Sequence, residues 1–248
     1  MGTLNNEERK APIFEIPMIS IIINRRKLSI VLIAIFIVLF VAHGVVTLLR
    51  YRLIPESPFA ESLDRFFSMD REANFPTYFN TLLLFIAAQT FFLMGSKRSY
   101  IDFYSRTYWY FLSVIFVFLS VDEFVSFHEQ LIDLIPQIFG IGGTGLFRFA
   151  WIIPYGLFVI GFGSYSIQFL LTLKKEYMVK YLFAGAVYVF GALVMEALGG
   201  TVFAQNNNVP TLEYILYYVT PEETLEMLPL IYVIDLNLKY LSSSEADQ

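Results

Sequence analysis

Six apolar runs, each long enough to cross the hydrocarbon core of a bilayer as a helix of about 20 residues, recur near 28–50, 76–95, 107–131, 148–173, 179–203 and 211–238. In lipid, backbone polar groups must be paired inside the protein, and helical runs of this length meet that demand within each segment. The expected fold is therefore all-α: a polytopic transmembrane helical bundle of six spans. Composition agrees, with 56% of residues hydrophobic, 18% aromatic and only 16% charged, a balance that belongs to integral membrane proteins. Six spans within 248 residues leave no polar stretch long enough for a soluble domain.

The segments divide into a cytoplasmic or interfacial arm over 1–27, a membrane domain over 28–240 and a cytoplasmic tail over 241–248. The arm's apolar portion, Ile19 to Ile23, is too short to cross. The first full run starts too late, and lacks the small-residue cleavage site, for a removed signal peptide. Of the 17 Lys and Arg residues, twelve (Arg9, Lys10, Arg25, Arg26, Lys27, Lys97, Arg98, Arg106, Lys174, Lys175, Lys180 and Lys239) fall on one side of a six-span topology. Five (Arg50, Arg52, Arg65, Arg71 and Arg148) fall on the other. The positive-inside rule then puts both termini in the cytoplasm. The net charge of -5 comes with no basic tract, so nucleic acid is not an expected partner; the absence of cysteine excludes disulfides, thiolate metal sites and a cysteine nucleophile.

Between the spans, Ser57 and Pro58 open a helical pattern, Phe59, Leu63, Phe66 and Phe67, which predicts an amphipathic helix near 57–70 on the outer surface. The stretch "LIPQIFGIGGTGLF" reads as a flexible or re-entrant loop. Pro154, Gly156, Gly161 and Gly163 in the fourth span, and Gly185, Ala192 and Gly199 at seven-residue intervals in the fifth, predict close helix approach.

Ionisable side chains inside spans are expensive and point to function. "SVDEFVSFHEQLID" places Asp122, Ser126, Glu129 and Asp133 within a stripe about 60° wide if the third helix is continuous. Glu123 and His128 lie to either side of it. Hydration at a helix end accounts for Glu129 and Asp133, but not for Asp122 and Glu123. Glu196 sits roughly 10 Å below the outer end of the fifth span; a single protonated, hydrogen-bonded carboxyl explains it as well as a functional role does. "VTPEETLEMLPL" crowds Glu222, Glu223 and Glu226 together. Thr220, Pro221 and Glu223 match a capping box if a helix starts there; if the helix is continuous from Thr211, the acids lie near mid-membrane. His43 fits a packing role or a ligand role, and Asn80 and Gln89 could add neutral hydrogen bonds.

The candidate polar site is thus Asp122, Glu123, Glu129, Glu196, Glu222, Glu223 and Glu226, lining a cavity toward the outer side. Three functions fit it. His43, Glu123, His128, Glu196, Glu222 and Glu226 match the ligand count of a divalent iron or manganese site acting on a lipid-soluble substrate, although the Glu-x-x-His spacing of bundle sites is absent. The same acids suit a proton- or cation-coupled transporter or channel. A non-catalytic membrane subunit would use them for packing or a partner. "DExxxxHE" (Asp122, Glu123, His128, Glu129) followed by "EExLEML" (Glu222, Glu223, Glu226) resembles uncharacterised bacterial multi-pass membrane proteins. That resemblance implies a cell (plasma) membrane location and brings no activity with it.

Overall fold

The computed structural model describes residues 24–96 and 103–246. Most of the arm, including Arg9 and Lys10, the basic pair Lys97 and Arg98, and the end of the tail lie outside the described residues. The chain forms α1 (Arg25–Leu48) continued by a π-helical turn (Leu49–Leu53), α2 (Pro58–Phe67), α3 (Phe75–Ser96), α4 (Phe103–Val125), α5 (Phe127–Phe139) and a 3-10 turn (Gly145–Phe147). Then come α6 (Ile152–Thr172), α7 (Lys175–Val189), a π turn (Phe190–Met195) leading into α8 (Glu196–Gln205), α9 (Leu212–Tyr214), a π turn (Ile215–Val219) and α10 (Thr220–Ala246). No strand occurs among the described residues.

Among the described residues, five helices are long and apolar enough to cross a membrane: Arg25–Leu53, Phe75–Ser96, Ser105–Val125, Ile152–Thr172 and Lys175–Gln205. The sixth expected run is helical from Leu212 onward but carries Glu213, Glu222, Glu223, Glu226 and Asp235, and is not among them. Large apolar side chains such as Val38, Val41, Leu157, Ile160 and Leu171 face outward. Only 17% of the most apolar stretch of α6 is buried inside the protein. An apolar surface of that extent is compatible with a membrane protein.

The acid-bearing helix α10 is nevertheless the central one. Met227, Leu230 and Ile234 pack with Phe36 and Leu39 of α1 and Leu83 and Leu84 of α3 in one core cluster. Nearer the α1 N-terminal end of the bundle, Val233 joins Trp109, Phe169, Phe91 and Ala184 in a second, aromatic-rich cluster, where Tyr108 stacks on Phe169 at 3.9 Å. Several polar groups in this half are paired. Asn237, fully buried, donates to Thr90 Oγ1 at 2.8 Å and accepts from the Tyr181 hydroxyl at 2.6 Å. Asp235 accepts from Arg25 at 3.1 Å and Ser29 at 2.7 Å.

Local structure departs from the sequence expectations at four places. The third run is not one helix: Ser126 adopts left-handed geometry (φ 51°, ψ 45°) between α4 and α5, which dissolves the expected stripe and leaves Asp133 exposed. The Gly-rich stretch is shorter than expected, because α5 runs through Pro136 to Phe139 before the left-handed Gly140, Gly142 and Gly143. The small-residue seam of the fifth span does not hold its register. The π turn inserts one residue into the helical count, so the tight approaches fall at Gly191 and Gly199, while a Cβ on Gly185 would meet nothing within 4 Å. Gly156, Gly161 and Gly163 likewise face open space rather than a neighbouring helix. Thr220, finally, lies inside continuous helix (φ -60°, ψ -45°) and is not an N-cap.

Candidate functional site

The motif "DExxxxHE" separates into two jobs at the Ser126 break. Asp122 is buried, with both carboxylate oxygens engaged: Oδ1 accepts from the His128 backbone N–H at 2.9 Å, and Oδ2 accepts from the Tyr155 hydroxyl at 2.9 Å with His128 Nδ1 at 3.3 Å. It thereby caps the first turn of α5 across the break, supplying an acceptor to a backbone donor that has none in its own helix. His128 packs edge-on to Trp151 at 5.1 Å. Held this way, α4 presents Glu123 and α5 presents Glu129 to a common space.

The loop between α2 and α3 adds two acids that the sequence reading missed. Asp64, 2% exposed, pairs with Arg71 at 2.6 Å, and Asn74 caps α3 through Thr77 N–H at 3.1 Å while donating to the Ser68 carbonyl at 2.6 Å. These bonds fold the loop over the end of the bundle, with Ala73 in left-handed geometry (φ 57°), and carry Asp70 and Glu72 into the same space. An Asn followed two residues later by Pro is a helix-start signal, and "DREANFP" carries it. The amphipathic helix expected near 57–70 is present as α2; it buries Ala60 and Asp64, while Phe59 and Phe66 are exposed.

The remaining acids are set by the two π turns. The turn Phe190–Met195 delivers Glu196, which accepts from Trp151 Nε1 at 3.3 Å and faces the same space as Glu222 of α10. Gly191 makes the approach possible: a Cβ there would lie 2.9 Å from Leu225 Cβ and 3.0 Å from the Glu222 carbonyl oxygen. On α4, Glu123 Oε1 accepts from Asn80 Nδ2 at 3.1 Å, and Glu226 of α10 faces the same space. Asn80 Oδ1, on a residue 1% exposed, has no partner.

All seven expected acids line one cavity of about 480 Å³, within the range of about 300–1,000 Å³ typical of small-molecule sites. With Asp70 and Glu72 they make nine carboxyls, joined by His128 and by no Lys or Arg among the described lining residues. Trp151 and Tyr155, apolar rings with polar tips, are further lining residues that sequence reasoning passed over. Gln89 is exposed and does not line the cavity.

His43 requires a correction. Expected to share a metal with His128 and the acids, it is 1% exposed and lies outside the cavity lining. Its Nδ1 accepts from the Met69 N–H at 3.0 Å, so Nε2 donates to Thr220 Oγ1 at 2.9 Å. Both ring nitrogens are spent on tying α1 to the loop and to α10. Among the described residues, no group of three or more His, Asp or Glu is arranged to hold a metal ion.

Electrostatics outside the spans follow from burial among like charges. Burial, reinforced by the charge of Asp64, pushes the Asp70 carboxyl up to about 7. Burial together with Glu123 and Glu129 pushes Glu72 up to about 8. Burial alone would lower His128, at the start of α5 beyond the α4 span, but its hydrogen bond to Asp122 and the surrounding carboxylates prevail and raise it to about 9. The two loop carboxyls are therefore held toward their neutral form and the imidazole toward its charged form.

A family model described as a domain of unknown function (DUF8692) matches residues 31–236, a span that includes every acid of the cavity. No curated protein and no solved structure matches the chain.

Proposed function

The chain belongs to the DUF8692 family, and from that premise we propose that it is a six-span plasma-membrane protein that takes a lipid-soluble organic cation into the acid-lined cavity from the outer side and carries it across the membrane in exchange for protons. The observation that carries the proposal is the lining: nine carboxyls on separate elements face one space with no Lys or Arg among them. Buried like charges at this density repel unless protons or a cation intervene, and the two occupants compete for the same oxygens. The excess of Lys and Arg in the loops on one side supports cytoplasmic termini, and on that reading the acids lie in the outer half and the Trp109 and Phe169 cluster in the inner half. An inner half closed by aromatic packing and an outer half rich in protonatable groups suits the outward-facing stage of a carrier. Helix discontinuities beside the acids, at Ser126 and at the two π turns, are features that carriers use to place ion sites.

Uptake by proteoliposomes tests the proposal. A labelled quaternary ammonium ion should accumulate against its gradient when the lumen is acid relative to the bath, and Glu123→Gln with Glu226→Gln should reduce that uptake to the level of empty liposomes. Uptake that ignores the pH gradient, or that survives the double substitution, would count against it.

A further inference from the structure

Below the carboxyls the cavity continues into an apolar chamber, and we infer that this chamber is a slot for one alkyl chain, so that the cation is a single-chain amphiphile whose charged head sits among the acids. The inference rests on the cation site proposed above and specifies what that site accepts.

Three helices measure the slot. At 1.5 Å per residue, Gly185 lies roughly 16 Å below Glu196 on the α7–α8 helix, Val233 roughly 16 Å below Glu222 on α10, and Ile115 roughly 12 Å below Glu123 on α4. All three deeper residues line the same cavity as the acids above them, and none of the described lining residues below Glu226 is charged. Phe158 and Phe162 of α6 form the facing wall. The floor is the aromatic cluster itself, since Ala184 and Val233 belong to both.

Gly185 supplies an independent observation. It lines the cavity, yet a Cβ built on it meets nothing within 4 Å. The residue is exposed to that space, so a larger side chain there would project into the chamber. Charge selects among lipidic occupants. A phospholipid brings a phosphate, which the carboxyls repel, and two chains for one slot; a long-chain amine or quaternary ammonium brings neither.

The test compares tetramethylammonium with dodecyltrimethylammonium binding to the purified full chain in lipid nanodiscs, for the wild type and for Gly185→Leu. Partition of the long chain into the bilayer favours it equally with either protein, so the readout is the effect of the substitution on each ligand. Gly185→Leu should weaken the dodecyl compound by about tenfold, the scale of overpacking a filled site, and leave tetramethylammonium unchanged. Gly185→Ala should give a smaller loss in the same direction. Retained tetramethylammonium binding also verifies that the variant is folded. If the substitution leaves both ligands unaffected, or weakens both alike, the slot is overturned while the cation site stands. If neither ligand binds the wild-type protein, the cation site fails and the slot fails with it.

Discussion

Asp122 and Glu123 are neighbours in sequence with opposite consequences for stability. Asp122 accepts from three donors and holds the Ser126 break, whereas Glu123 meets one amide and faces other carboxyls. Replacing Asp122 by Ala should lower stability by about 1–2 kcal/mol, the range for loss of a helix cap, with Asn less harmful because it keeps an acceptor. Glu123→Gln should leave the thermal midpoint unchanged or higher, since it removes one of several crowded charges, and thermal unfolding in detergent distinguishes the two cases. Asp70 and Glu72 set the pH dependence. Their folded pKa values of about 7 and about 8 lie above those of an unfolded chain, so between about pH 4 and 8 the folded protein binds more protons and stability falls as pH rises. The midpoint should therefore be higher near about pH 5 than near about pH 9, and Glu72→Gln should narrow the difference; a midpoint that climbs with pH contradicts the burial of these groups. The acids of the motifs were legible in the sequence because charge inside an apolar run is conspicuous. His43 was not, because its role depends on the Met69 N–H, a loop donor that no spacing along α1 reveals.

At the scale of elements, hydrophobic length located the helices, while their irregularities stayed hidden. A π turn or a single left-handed residue changes the helical count by one and barely alters the apolar pattern, so Ser126, the Phe190–Met195 turn and the shifted glycine seam could not be read from the runs that contain them. The π turn makes a sharp contrast between two glycines of one helix. Gly191→Ala places a methyl against the α10 backbone and should cost about 1–3 kcal/mol, as overpacking does. Gly185→Ala enters open space and should be neutral or stabilising by up to about 1 kcal/mol. Comparable losses at both positions, measured as shifts in thermal unfolding, would mean that the helix keeps its seven-residue register and that Glu196 is not delivered to Glu222 in the way described.

For the whole molecule, the arrangement joins an acid-lined cavity at one end to an aromatic cluster at the other around one central helix. The sequence conveyed the membrane class, the helical fold and the seven acids of one cavity; it missed Asp70 and Glu72 because a polar loop next to a surface helix gives no sign that it folds inward. Orientation rests on the basic loops, and a reporter fused after Gln248 should read cytoplasmic, a periplasmic signal being the contrary outcome. The most direct measurement concerns protons. Dodecyltrimethylammonium has no titratable group, so protons appearing in solution when it binds must come from the protein. At about pH 7, where Asp70 and Glu72 are partly protonated, binding should release on the order of one proton per cation, and Glu72→Gln should reduce that number. Saturable binding with no proton release between about pH 6 and 8 would contradict a site in which cations and protons compete for the same carboxyls.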